Sequence, residues 1–262
     1  SSSGHATAFE HSQKIWLVTI KYEDMSLFPK NVNYISTLRY IEGGRSVSNF
    51  ENFNLALHVN DRNKSVLENR LILSNYYNLP SDPVWINQTH SSICIDASVN
   101  KKEVEADASY TIDPGIVCAI LTADCLPVFI SNKDGSKVGI AHAGWKGLAS
   151  GVIENLIESF HCNGSDLVVH LGPAISLNSF EVGKEIKDLY LSKNESFNRS
   201  FVFHNDKFYL DLYDAARVIL ESFNITLISG GNRCTFRESD KFFSYRRDGS
   251  NSGRMAHLIW FN

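Results

Sequence analysis

Residues 115–160 constrain the fold more than any other stretch. "GIVCAILTADCLPVFIS" (115–131) holds two apolar runs broken by Thr-Ala-Asp-Cys. "NKDGS" (132–136) carries the Asp-Gly pair of a hairpin turn. "KVGIAHA" (137–143) is then the returning strand. From 146 to 160 the period changes. Leu148, Val152, Ile153, Leu156, Ile157 and Phe160 recur at helical spacing.

The flanks repeat this vocabulary. "KIWLVTI" (14–20) and "YISTLRY" (34–40) read as strands, and "VWINQTH" (84–90) as a short strand entering a polar turn. "EGGRSVSNFENFN" (42–54) is a polar loop. Residues 63–79 have amphipathic helical spacing behind an Asn or Ser cap, and two more helices are expected near 181–192 and 211–223. "DLVVHLGPAI" (166–175) is a buried strand, and "KFFSYRRDG" (241–249) and "RMAHLIWF" (254–261) read as closing strands. Residues 192–200 are the candidate surface excursion. With no repeat and no linker, the pattern predicts one α+β domain over 13–262, with mixed sheets and hairpins flanked by helices. Residues 1–12 are expected to be a tag remnant or a disordered start.

Composition excludes several function classes. Hydrophobic content of 43% and charged content of 21% are ordinary for a globular chain. A net charge of −4 gives no field for nucleic acid or an anionic membrane, and no apolar run approaches a bilayer span. Five cysteines at 94, 118, 125, 162 and 234, without a CxxC, argue against a disulfide framework and for the cytoplasm.

Three metal-competent side chains sit where apolar runs stop. His90 follows "VWINQT", Cys125 follows "VCAILT", and His142 closes "KVGIA". Three protein ligands with one open position are the pattern of catalytic zinc. Cys94 is an alternative ligand of lower rank, and the structural alternative is three unrelated side chains. Asp124, beside Cys125, is a candidate acceptor for a histidine N–H or for a substrate proton. Lys146 opens the expected helix, where it meets an anion such as phosphate or else points into water.

Several blocks occur in order: "STLRYIEGGRSVSNFENFNLALHVND", "NQTH", "ADASYT", "LTADCLPV", "GIAHAGWKGLASGVI", "LGPAIS", "FYLDL" and "FFSYRRDGSNSGRMA". This set resembles the YfiH-like, laccase-domain family of purine nucleoside phosphorylases, also called multicopper polyphenol oxidases and peptidoglycan editing factors. The resemblance implies a layered α+β fold and zinc on His90, Cys125 and His142. It also implies phosphorolysis of adenosine- or inosine-type nucleosides, with adenosine deamination as a further activity. Arg39, Ser48, Asn54 and His58 fall on the family's early polar block, and Arg247 joins Arg39 and Lys146 as an anion-binding candidate. Lys146 stands where the family commonly has arginine, which keeps charge and loses bidentate geometry. Arg45 stands where the loop commonly has valine.

The expected partners are therefore a nucleoside and phosphate, with no nucleic acid or membrane, in a monomer or homodimer. Copper is the alternative cofactor, for a laccase-like polyphenol oxidase. Against it, nine histidines include no His-x-His pair, and Met25 and Met255 lie far from the ligands in sequence. A peptidoglycan-precursor editing enzyme, a metal-bound scaffold and a cysteine hydrolase using Cys125 complete the alternatives.

Overall fold

The computed structural model describes residues 27–99 and 104–262. The expected strand at 14–20 and the expected start at 1–12 lie outside the described residues.

Period-two alternation explains why two sheets pack face to face. The first sheet runs β1 (Val32–Ser36), β13 (Met255–Phe261), β5 (Cys118–Thr122), β2 (Val84–Trp85), antiparallel except for β2–β5. The second runs β12 (Leu227–Gly230), β8 (Leu167–Leu171), β6 (Leu126–Asn132), β7 (Val138–Ala143), β4 (Ala108–Thr111), β3 (Cys94–Asp96). Its centre is antiparallel and its two edge pairs are parallel. On β5, Cys118 and Ile120 enter the layer between the sheets, while Ala119 and Leu121 face away. On β6, Phe129 meets that layer, and Leu126, Val128 and Ile130 face the helices. Each fully buried Leu, Ile or Phe contributes about 1.5–3 kcal/mol.

Helices cover the outer faces. Leu73 of α1 (Asn63–Tyr77) packs with Leu55 and Leu258 on the first sheet. The apolar sides of α2 (Trp145–Ser150), α3 (Val152–Ser159) and α5 (Leu212–Ser222) cover the second. Asp211 caps α5 by accepting from the N–H groups of Tyr213 and Asp214. A small antiparallel sheet of β10 (Phe201–His204), β11 (Lys207–Leu210) and β9 (Glu181–Val182) stands beside α4 (Lys184–Lys193). The order helix, sheet, sheet, helix is the expected layered α+β class.

Five local expectations change. The helix over 146–160 divides at Gly151, whose φ of 93° closes α2 and opens α3. The strand expected over 34–40 ends at Ser36, and residues 181–182 form β9 before α4 begins. Residues 192–200 are no excursion: the turn Glu195–Ser200 buries Phe197, edge-on to Tyr190. "KFFSYRRDG" is no strand. Ser244 accepts from the Arg247 N–H and caps the short helix α6 (Tyr245–Asp248). A polar cap outweighs two adjacent phenylalanines that the core takes up in a loop.

Candidate metal centre and its cavity

The break between the two apolar runs is where the chain leaves one sheet for the other. β5 ends at Thr122 in the first sheet, and β6 begins at Leu126 in the second. Asp124 makes this crossing with a φ of 97°, in the left-handed region that non-glycine residues rarely adopt. Its carboxylate accepts from Thr235 Oγ1 at 2.6 Å, Ser244 Oγ at 3.0 Å and the Arg246 N–H at 2.7 Å. These donors stand where a histidine partner was expected for Asp124. Both its oxygens are engaged by donors from the chain, and neither meets a histidine.

The crossing delivers Cys125 to two histidines. The ligand atoms of His90, Cys125 and His142 all lie within 4.8 Å of one another. Cys125 Sγ is 3.9 Å from His90 Nε2, and the two imidazoles stand edge to face at 4.8 Å. His142 lies on β7, and His90 sits in the turn after β2 with a φ of 60°. Burial alone would raise the Cys125 thiol. The charge of His142 and hydrogen bonds from both histidines outweigh it and lower the pKa to about 6. Burial alone would lower His142, but Cys125 and Asp107 raise it to about 9.

Asp107 is the residue that sequence reasoning missed. It is fully buried at the entry to β4, with Oδ1 2.7 Å from His142 Nδ1. Burial pushes its carboxyl up, but hydrogen bonds from His142 and Ser91 prevail and hold it down at about 2. Its signal lay in "ADASYT", an acid among small residues in an apolar setting. Cys94 is not part of the group. It packs half-buried against the core from edge strand β3, and burial pushes its thiol up to about 12.

The residues present fit a metal ion. One thiolate, two imidazole nitrogens and a carboxylate backing one imidazole form a donor set of the zinc kind. Gly144 keeps the space between them open: a Cβ there would meet Cys125 Sγ at 2.7 Å and His90 Cδ2 at 3.2 Å.

A cavity of about 570 Å³ opens over the group. Asp124, His58 and Lys146 line it along with the three ligands, as do Arg246, Arg254, Phe180 and Tyr245. Lys146 is exposed, with its ammonium 5.4 Å from the Trp145 ring centre. The other expected substrate residues make contacts within the chain or lie at its surface. Arg39 donates to the Glu51 and Ser239 carbonyls, with Tyr40 and Phe243 ring centres at 5.0 and 4.9 Å. Asn54 is fully buried, accepting from the Ala56 and Arg254 N–H groups and donating to Asp61. Ser48 is exposed at the start of the short turn Ser48–Phe50. Arg247 donates to the carbonyls of Thr235, Phe236 and Phe242 and to Asp248. Arg45 pairs with Glu68 at the surface.

The family model described as multi-copper polyphenol oxidoreductase laccase matches residues 35–262. The chain belongs to this family. Among its relatives in this laccase-type family, the purine nucleoside phosphorylase YfiH of Escherichia coli K12 is 42% identical over 233 residues, 88% of this chain and 95% of that protein. The purine nucleoside phosphorylase of Haemophilus influenzae is 40% identical over 236 residues, 89% and 96% of the two chains. The crystal structure of a Neisseria meningitidis protein superposes with a TM-score of 0.85 at 39% identity, covering 91% of this chain and 97% of that one.

Within the laccase-type chain, the expected Lys146 is joined at the cavity by Arg246 and Arg254 rather than by Arg39 and Arg247. Arg246 donates through both terminal nitrogens to the Glu181 carbonyl, with the Phe180 ring centre 5.0 Å from its guanidinium. Arg254 donates to the Ser252 and Gly253 carbonyls, and the Tyr245 ring centre lies 5.7 Å away. Burial works against the Arg254 charge, opposed by the Cys125 and Asp124 charges. Both arginines lie in the last sequence block, where Arg247 had been preferred. No helix among the described residues is long and apolar enough to cross a membrane.

Proposed function

We propose that this chain is a purine nucleoside phosphorylase working with one zinc ion on His90, Cys125 and His142. The observation that carries this reading is the meeting of those three side chains beside Arg254 and Lys146 in one cavity. The names of the relatives support it, and a volume of about 570 Å³ is ample for a small-molecule substrate. Zinc bound there would supply Lewis-acid chemistry at an open fourth position.

The chain's own residues do the rest. Lys146 and Arg254 hold phosphate, Arg254 offering the planar fork that suits phosphate oxygens. Ile175, Phe180, Leu212 and Tyr245 line the cavity with apolar and aromatic surface for purine and ribose. In phosphorolysis a phosphate oxygen bonds to C1′ as the C1′–N9 bond breaks, and the base leaves with the electron pair and takes up a proton. The two cations orient the attacking anion.

Zinc is preferred to copper for a reason in the packing. A blue-copper site adds a long axial methionine, whereas Met255 is fully buried and its sulfur accepts from the Phe243 N–H. Adenosine deamination is a second reading of the same centre, supported by the three-ligand donor set that leaves a position for water.

The test is elemental analysis beside a product assay. Protein purified without added metal should carry about one zinc per chain. Adenosine and inosine should release base and ribose 1-phosphate only when phosphate is present. Equal base release without phosphate would make the enzyme a hydrolase. Several equivalents of copper with phenol oxidation would make it an oxidase.

A further inference from the structure

We propose that Asp107 is the positioning residue that assembles the histidine side of the metal centre before any metal arrives. This rests on the reading that His90, Cys125 and His142 hold a metal.

One buried carboxylate touches both histidine segments. Asp107 Oδ1 lies 2.7 Å from His142 Nδ1 and accepts from the His90 N–H at 3.1 Å. Oδ2 accepts from the Thr89 N–H at 3.1 Å, the Ser91 N–H at 2.6 Å and Ser91 Oγ at 2.7 Å. The Asp107 backbone adds a bond at 2.7 Å from the His142 N–H to its own carbonyl. The loop and the strand that carry the two ligands, about fifty residues apart in sequence, are thus referred to one group.

Two consequences follow from elementary chemistry. A neutral imidazole has one N–H. Asp107 holds a proton on Nδ1, so Nε2 is the nitrogen that gives up its proton and offers its lone pair when the ring binds a metal. The other tautomer would set an unprotonated nitrogen against a buried carboxylate. His90 has a left-handed backbone, a conformation costly for a residue with a side chain. Three successive N–H groups, from Thr89 to Ser91, converge on the carboxylate and stabilise that turn. An amide in place of the acid would offer one acceptor oxygen and an NH₂ that opposes these donors.

The experiment compares the wild-type chain with Asp107→Asn. Zinc affinity is read by competition with a chelating dye, and the melting temperature of the metal-free protein by circular dichroism. Asn69→Ala is the control, because Asn69 is a buried hydrogen-bonding residue in the α1 layer, remote in role from the centre. Wild type should bind one zinc, and Asp107→Asn should bind it about 10- to 100-fold more weakly. Asn69→Ala should melt lower with unchanged zinc affinity. Equal zinc affinity for wild type and Asp107→Asn would overturn the inference and leave the metal reading standing. A wild-type chain that takes up no zinc would overturn both. Should Asp107→Asn fail to fold, ¹⁵N imidazole spectra of zinc-loaded wild type decide. A proton on His142 Nδ1 is expected, and a proton on Nε2 would overturn the proposal.

Discussion

The backbone N–H of Arg246 donates to Asp124 Oδ2 at 2.7 Å, joining residues 122 positions apart in the chain. That bond ties the crossing between the two sheets to helix α6, and so places Cys125 and Tyr245 around one cavity. The acid beside Cys125 invites a catalytic reading, and its hydrogen bonds also make it a clamp.

Asp124→Ala is therefore expected to cost stability first. Each buried donor left unpaired costs about 1–3 kcal/mol, and Thr235, Ser244 and Arg246 each lose a partner. Urea unfolding should show a loss of about 3 kcal/mol or more. Unchanged stability with a collapsed kcat would instead restore Asp124 as a proton acceptor.

Gly144→Ala should leave the fold intact and damage the centre. The backbone at Gly144 has a φ of −70°, which alanine adopts freely. The new methyl would press on Cys125 and His90. Overpacking of this kind costs about 1–3 kcal/mol, so zinc affinity should fall by about tenfold or more. Tight, unaltered binding would show that the metal sits elsewhere.

Two arginines in the last sequence block should separate cleanly. Arg254→Ala removes a cavity cation and should raise the KM for phosphate about 10- to 100-fold, the range expected for a charged hydrogen bond. Arg247→Ala strips partners from three carbonyls and from Asp248, and should appear as a lowered melting temperature. Steady-state kinetics that reverse the two variants would move the anion site to Arg247.

His257 predicts an acid-side loss of stability. It is fully buried, and its two ring nitrogens lie 2.8 Å from Ser36 Oγ and from Thr122 Oγ1. Burial, then the charge of His142, lowers its pKa to about 3. The unfolded chain protonates this ring near pH 6.5. Its contribution is therefore whole above about 6.5 and is lost as pH falls toward 3, by at most about 1.4 kcal/mol per pH unit. Wild type should lose stability faster than His257→Gln between pH 6.5 and 4 in denaturant melts. Parallel slopes would rule the group out.

Much of the layered fold was legible because its cause is local. The Asp-Gly hairpin of β6 and β7, the α1 and α5 helices and the final strand each follow from side-chain period and turn chemistry within about twenty residues. The ends of three apolar runs drew attention to His90, Cys125 and His142 as metal ligands, with three unrelated side chains as the alternative, and the family resemblance implied zinc on them. Where the readings changed, the deciding contact was distant. The phenylalanines of "KFFSYRRDG" suggested a strand, yet Ser244 caps a helix whose own Arg246 N–H donates to Asp124.

From the sequence alone came the α+β class, the main apolar elements and the residue types able to hold a metal, because periodicity and donor chemistry belong to short segments. The tertiary structure alone decided which acid backs the histidine, which arginines reach the cavity, and that Arg39, Asn54 and Arg247 bind the chain itself. The physical reason is that a buried carboxylate or guanidinium takes its partners from whatever folding brings within about 3 Å. Asp107 and His142 become neighbours only when β4 pairs with β7.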